Sequence, residues 1–133
     1  MDWKYVKPLR DDLSVSQFEA EFGAVLPPAL RQIVLLHNAG TPSRDRFTLP
    51  DGEKDRVKGL LSFNREDKGN VWQVNAVEGR PQGLVAFAQD PFGSDICVKT
   101  DTGEVFFVDN DTGEVYNIAP DVEFFLSSLG SAP

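Results

Sequence analysis

Asp101-Thr102-Gly103-Glu104-Val105-Phe106 is followed ten residues later by Asp111-Thr112-Gly113-Glu114-Val115-Tyr116. In each copy a glycine after Asp-Thr can adopt positive φ, and a β-branched and aromatic run follows at once. The echo reads as two hairpin turns of an antiparallel meander, with strands at residues 105–108 and 115–118. Upstream, residues 84–88 and 96–99 are apolar runs of the same kind, separated by Asp90-Pro91-Phe92-Gly93-Ser94. The echo is too short for a repeat architecture. Within 105–108, alternation puts Val105 and Phe107 on one face and Phe106 and Val108 on the other.

Helices flank this meander. Ser14-Val15-Ser16-Gln17 is a capping-box pattern, and Val15, Phe18 and Phe22 form an apolar stripe that ends at Gly23. Pro27-Pro28 opens a second helix through Leu30, Ile33 and Val34, stopped by Asn38-Ala39-Gly40. Residues 44–58 are polar and charged, with a short apolar piece at Phe47-Thr48-Leu49. Residues 60–63 suit a strand, and 70–77 a short helix. Pro120 opens a last helix with Val122, Phe125, Leu126 and Leu129 on one face, closed by Gly130. The order implies an α+β fold: one domain over residues 1–133, with a mostly antiparallel sheet and helices packed on one side.

The chain has 133 residues and a formal net charge of −8. Between Asp90 and Glu123 nine acids face a single base, Lys99, so this third of the chain carries the whole imbalance. Such a surface repels nucleic acid and anionic lipid and attracts a cationic partner, although Asp is also a favoured turn residue. Asp90, Asp95, Asp109 and Asp111 are expected on the exposed surface at one end of the sheet. Phe92, in the turn between Asp90 and Asp95, is the candidate anchor for a protein partner, although an isolated Phe equally suits the core.

Catalytic and cofactor signatures are missing. His37 is the only histidine and ends an apolar helix face without an orienting partner. Cys97 is the only cysteine, so no internal disulfide or Cys-rich zinc site can form, and its place inside a strand suits a small buried hydrophobe. An EF-hand register started at Asp109 puts Glu114 where glycine is needed and Pro120 where the bidentate Glu belongs. No phosphate-binding glycine loop occurs. No metal, cofactor or enzymatic activity is expected. Met1-Asp2-Trp3-Lys4-Tyr5 has no apolar stretch behind it, which suggests a cytoplasmic protein without a signal peptide.

Three blocks together resemble the SUKH superfamily. The first is Phe18-Glu19-Ala20-Glu21-Phe22-Gly23, then Leu26-Pro27 and the aliphatic helix ending in Asn38-Ala39-Gly40, where Ala39 replaces the usual first glycine of Asn-Gly-Gly. The second is Leu84-Val85-Ala86-Phe87-Ala88-Gln89-Asp90 with Gly93-Ser94-Asp95-Ile96-Cys97-Val98. The third is Gly103-Glu104-Val105-Phe106-Phe107-Val108-Asp109, followed by Ile118-Ala119 and the final helix. The resemblance implies an α+β fold. In bacteria it also implies an immunity protein that neutralises a cognate toxin domain by direct stoichiometric binding. Many such toxins are nucleases, which tend to be basic. Other relatives are regulatory or scaffolding interaction modules, and the fold does not choose between these roles. The partner-binding residues expected on either reading are Asp90, Phe92, Asp95, Asp109 and Asp111.

Overall fold

The meander dictates the architecture of the computed structural model, which describes residues 1–131. Five strands run in sequence order through one antiparallel sheet. They are β5 (Gly59–Leu60), β6 (Leu84–Gln89), β7 (Asp95–Lys99), β8 (Val105–Val108) and β9 (Val115–Ala119). The two echoed turns are built alike. Gly103 N–H donates to Lys99 O at 2.7 Å and Gly113 N–H to Asp109 O at 2.7 Å. Both glycines are left-handed, at φ 82° and 77°. An L-residue there would be strained, which is why both copies end in glycine.

Earlier in the chain come β1 (Trp3–Lys4), α1 (Ser14–Phe22), α2 (Pro28–His37), β2 (Thr41–Pro42), β3 (Arg46–Thr48) and β4 (Lys54–Arg56). β1 pairs with β2 and β3 with β4, both antiparallel. A short α3 (Val71–Asn75) stands between β5 and β6, and α4 (Val122–Ser128) follows β9. Every strand pair is antiparallel, so the molecule is α+β with helices segregated from the sheet.

Register separates the two faces of the sheet. Ile96 lies opposite Phe107 and Val98 opposite Val105, so these four share one apolar face; Asp95, Cys97, Phe106 and Val108 take the other. On the first face Phe107 meets Phe47 at 6.0 Å between ring centroids, and Phe47 meets Phe125 of α4 at 5.6 Å. Gly130 and Arg46 exchange both backbone hydrogen bonds, which fastens the end of α4 to β3. A second aromatic group, Phe18, Phe63 and Trp72, joins α1 to α3. All buried apolar residues form one cluster.

β5 is too short to cover β6, and α3 completes the job. Leu61 N–H donates to Phe87 O, the last ladder bond on that side. Beyond a bulge at Phe87, the Asn75 side chain donates to Ala86 O at 3.0 Å and accepts from Ala86 N–H at 2.8 Å. One amide thus stands in for a missing strand residue.

Two helix starts differ from expectation. Ser14 does not cap α1: Leu13 occupies the N-cap position with α-type φ and ψ, because the chain enters through a tight turn from Asp11 rather than in extended form. The capping box in this chain belongs to α3, where the Asn70 side chain accepts from Gln73 N–H and the Gln73 side chain accepts from Asn70 N–H. α4 is capped by Asp121, not opened by Pro120. Asn38 stops α2, and Ala39 beyond it takes a left-handed φ of 63°.

Candidate functional site

A meander puts alternate turns at opposite ends of the sheet, and this sorts the acidic residues. The turns at residues 90–94 and 109–114 share one end, and the turn at 99–104 lies at the other. β9 returns to that other end, since Ala119 is opposite Val105. Asp101, Glu104, Asp121 and Glu123 therefore sit away from Asp90 and Asp109. The acidic stretch read as one surface is two.

The first end is built as one rigid platform. Asp90 Oδ1 accepts from Phe92 N–H at 2.9 Å and from Ser94 N–H at 2.8 Å. Asp109 Oδ1 accepts from Asp111 N–H at 2.8 Å and Thr112 N–H at 3.3 Å. Asn110 stitches the two turns: its N–H donates to Ser94 Oγ at 3.2 Å, and its side-chain amide donates to Gly93 O. The β3–β4 hairpin adds Glu53, Lys54 and Asp55 beside them. Together Glu53, Asp55, Asp90, Asp109 and Asp111 line a pocket of about 160 Å³, with Lys54 as its one basic residue, and Phe92 lies at the same pocket.

Two expectations are corrected here. Asp90 and Asp95 are not exposed; each has only 3% of its surface accessible. Asp90 is buried because its carboxylate satisfies two turn amides. Asp95 is buried because the connection from α3 to β6 crosses the back of the sheet and sets Arg80 against it, at 2.8 Å. Asp95 thus leaves the acidic group; it lines a neighbouring pocket with Arg80 and Asp109. Phe92 does not plug the core: it is 82% exposed. Asp111 is exposed and Asp109 half-buried. The turn signal Pro50-Asp51-Gly52, with Gly52 at φ 91°, marks the hairpin that delivers Glu53 and Asp55 and was the local clue to their place.

Asp55 and Asp90 bring carboxyl groups into contact. Burial first, and then the hydrogen bond to Asp90, push the Asp55 carboxyl from its ordinary value up to about 7. Between about pH 4, where an unfolded Asp ionises, and pH 7, the folded chain holds a proton the unfolded chain has lost. The stability this contributes is full below about pH 4 and is lost as pH rises through 7. Water reaches the half-buried Asp55, so screening should reduce the effect to about 1 kcal/mol. Urea unfolding of the parent and Asp55→Asn at pH 5 and pH 8 checks this. The variant should gain on the parent at pH 8 relative to pH 5, and an unchanged difference would remove the shared proton from the account.

Elsewhere, Cys97 is fully buried on the back of the sheet, where burial pushes its thiol up to about 12. Its sulfur lies 3.7 Å from Arg80. His37 stacks on Trp3 at 5.0 Å and lines a groove between α2 and α4. Among the described residues no group of three or more His, Cys, Asp or Glu could hold a metal ion, and no helix is long and apolar enough to cross a membrane.

The chain is thus an antiparallel meander flanked by helices, with an acidic end that carries an exposed aromatic. The SMI1/KNR4 family (SUKH-1) model matches residues 11–128, and the chain belongs to that family. The family is known for immunity proteins, which act on a protein partner. No curated protein matches the chain.

Proposed function

We propose that the chain is a bacterial, cytoplasmic immunity protein without catalytic activity, which neutralises a cognate toxin domain by stoichiometric binding. Its acidic sheet end docks a cationic face of that toxin. The observation that carries this reading is the pocket that five acidic side chains line with one lysine, Asp55 alone among them holding its proton up to about pH 7, while Phe92 projects into solvent beside them. Crowded carboxylates repel one another, so a cationic partner relieves repulsion as well as adding attraction. A basic nuclease has the required charge; nucleic acid and anionic membranes are repelled. The alternative is a regulatory or scaffolding module without a toxin.

The test pairs the purified chain with the toxin domain encoded beside it. A 1:1 complex that abolishes toxin activity is expected. Phe92→Ala should weaken it by about 2 kcal/mol, roughly thirtyfold, without altering stability, because the ring is exposed. Asp111→Asn with Glu53→Gln should slow association at low salt and not at 1 M, where the screening length is about 3 Å. These two are cleaner probes than Asp109, whose carboxylate also holds a turn. Association rates indifferent to salt and to the substitutions would place recognition elsewhere. A chain that binds no toxin favours the scaffolding reading.

A further inference from the structure

Half of the chain's six lysines line one pocket. Lys7 comes from the N-terminal stretch, Lys58 from the link between β4 and β5, and Lys68 from the approach to α3. They surround a cavity of about 300 Å³ that shares no lining residue with the acidic pocket. All three are exposed. Among the described residues every ion pair uses an arginine and none a lysine. The one acid in the lining is Asp67, and it is already engaged. Its carboxylate accepts from Ser62 Oγ at 2.6 Å and Asn64 Nδ2 at 3.4 Å and lies 3.5 Å from Arg10. The Ser62 hydrogen bond, above all, holds it below the usual carboxylate range. Lys7 also acts on the Asp67 carboxyl through its charge, so Lys58 and Lys68 carry most of the free positive charge that an otherwise acidic chain keeps around this cavity.

Backbone geometry marks the same place. Tyr5 at φ 59° and Ala39 at φ 63° are the two non-glycine residues with positive φ among the described residues, and both line this pocket. L-residues rarely adopt that conformation; Ala39 takes it at the end of α2, which leaves Tyr5 as the strained residue of the kind that collects at ligand sites. A volume of about 300 Å³ is at the small end of ligand pockets, enough for a small molecule and not for a helix. The donors make it an anion site. The lining lacks an arginine fork, the bidentate grip for carboxylate and phosphate alike, and offers lysines, point charges that also bind phosphate oxygens.

We propose that this pocket binds a small phosphorylated molecule, its phosphate oxygens held among Lys7, Lys58 and Lys68. The site goes beyond toxin binding and stands or falls without it.

Pyrophosphate titrated into the full chain at low salt should bind saturably at 1:1 and raise the unfolding temperature. Sulfate at equal ionic strength should not reproduce the effect. Each of Lys7→Gln, Lys58→Gln and Lys68→Gln should weaken binding about three- to tenfold, since each removes one charge-assisted contact. The triple variant should show no saturation while keeping the parent's unfolding midpoint, because exposed, unpaired lysines contribute little to the fold. Adenosine diphosphate, run in parallel, assigns the source. Tighter binding that is lost in Tyr5→Ala supports a nucleotide, and binding equal to pyrophosphate supports the phosphate groups alone. Absence of saturation by either probe, or equal binding by the triple variant, overturns the proposal. So does lysine-dependent binding of a hexaglutamate peptide without any of pyrophosphate, which would make the pocket a seat for an acidic protein segment.

Discussion

Asp95→Ala should cost about 3–5 kcal/mol, the largest loss expected from any single carboxylate in this chain. Arg80 and Asp95 face each other with side chains only 8% and 5% exposed, at 2.8 Å. Asp95 also accepts from the Gln89 amide at 3.0 Å. Arg80 donates further to Val74 O at 3.0 Å and to Asn75 Oδ1 at 3.3 Å, but its Nε has no partner. Removing the carboxylate leaves a guanidinium in a dry place, and the backbone carbonyl cannot neutralise it. The pair itself is a poor source of stability, since two ions had to be dehydrated and one donor stays unmet. Replacing both, as Arg80→Met with Asp95→Val, should therefore recover most of the loss. Urea denaturation of both single variants and the double variant measures this. An Asp95→Ala protein within 1 kcal/mol of the parent would show that water reaches Arg80 after all.

Asn38→Ala ranks second, at about 2–4 kcal/mol. The residue is 1% exposed and its amide ties two other chain segments to the end of α2. It donates to Lys7 O at 2.8 Å and to Ser62 Oγ at 3.2 Å, and it accepts from Phe63 N–H at 2.8 Å. Its own carbonyl accepts from Lys7 N–H at 2.9 Å. Alanine would keep that last bond and orphan the Phe63 N–H in the core, where an unmet donor is expensive. The loss should also be local in character. Amide exchange at Phe63 should accelerate more than global unfolding predicts, and protease should cut the first ten residues sooner. Unaltered exchange at Phe63 would mean that the cavity admits a water that replaces the amide.

The legible parts of this fold are those whose signal is local. Gly103 and Gly113 announce their turns because only glycine is comfortable there, and the β-branched and aromatic runs beside them are long enough to be recognised. β1 to β4 were not readable, since two or three residues carry no period. Their pairing is set by distant partners, such as Trp3 with Pro42 or Arg46 with Gly130. The Ser14 pattern was misleading because a cap needs an extended approach, and Asp11 instead bends the chain into a turn. The site follows the same rule. Asp90, Phe92, Asp109 and Asp111 could be placed together from the turn order, whereas Asp101 and Glu104 belonged to the reverse end by that very order. Arg80 gave no local sign of its partner fifteen residues away, and so Asp95 passed for a surface acid.

The side chain of Asn75, bonded to both polar groups of Ala86, has a consequence for the chain in a crowd. An open strand edge is a template on which a second copy can align, and two such edges on each molecule allow a fibre to grow. On the β5 side of the sheet the template is closed twice. The stretch around Gly40 and Thr41 covers β5 through the bond from Leu60 N–H to Gly40 O, and Asn75 closes β6 beyond it. Growth by strand addition needs a free edge on both sides of each added copy, and the five-stranded sheet offers at most one, along β9. A stoichiometric blocker, the role proposed above, has to be kept at or above the concentration of its target. An edge that cannot propagate lets such a protein accumulate without seeding its own precipitation.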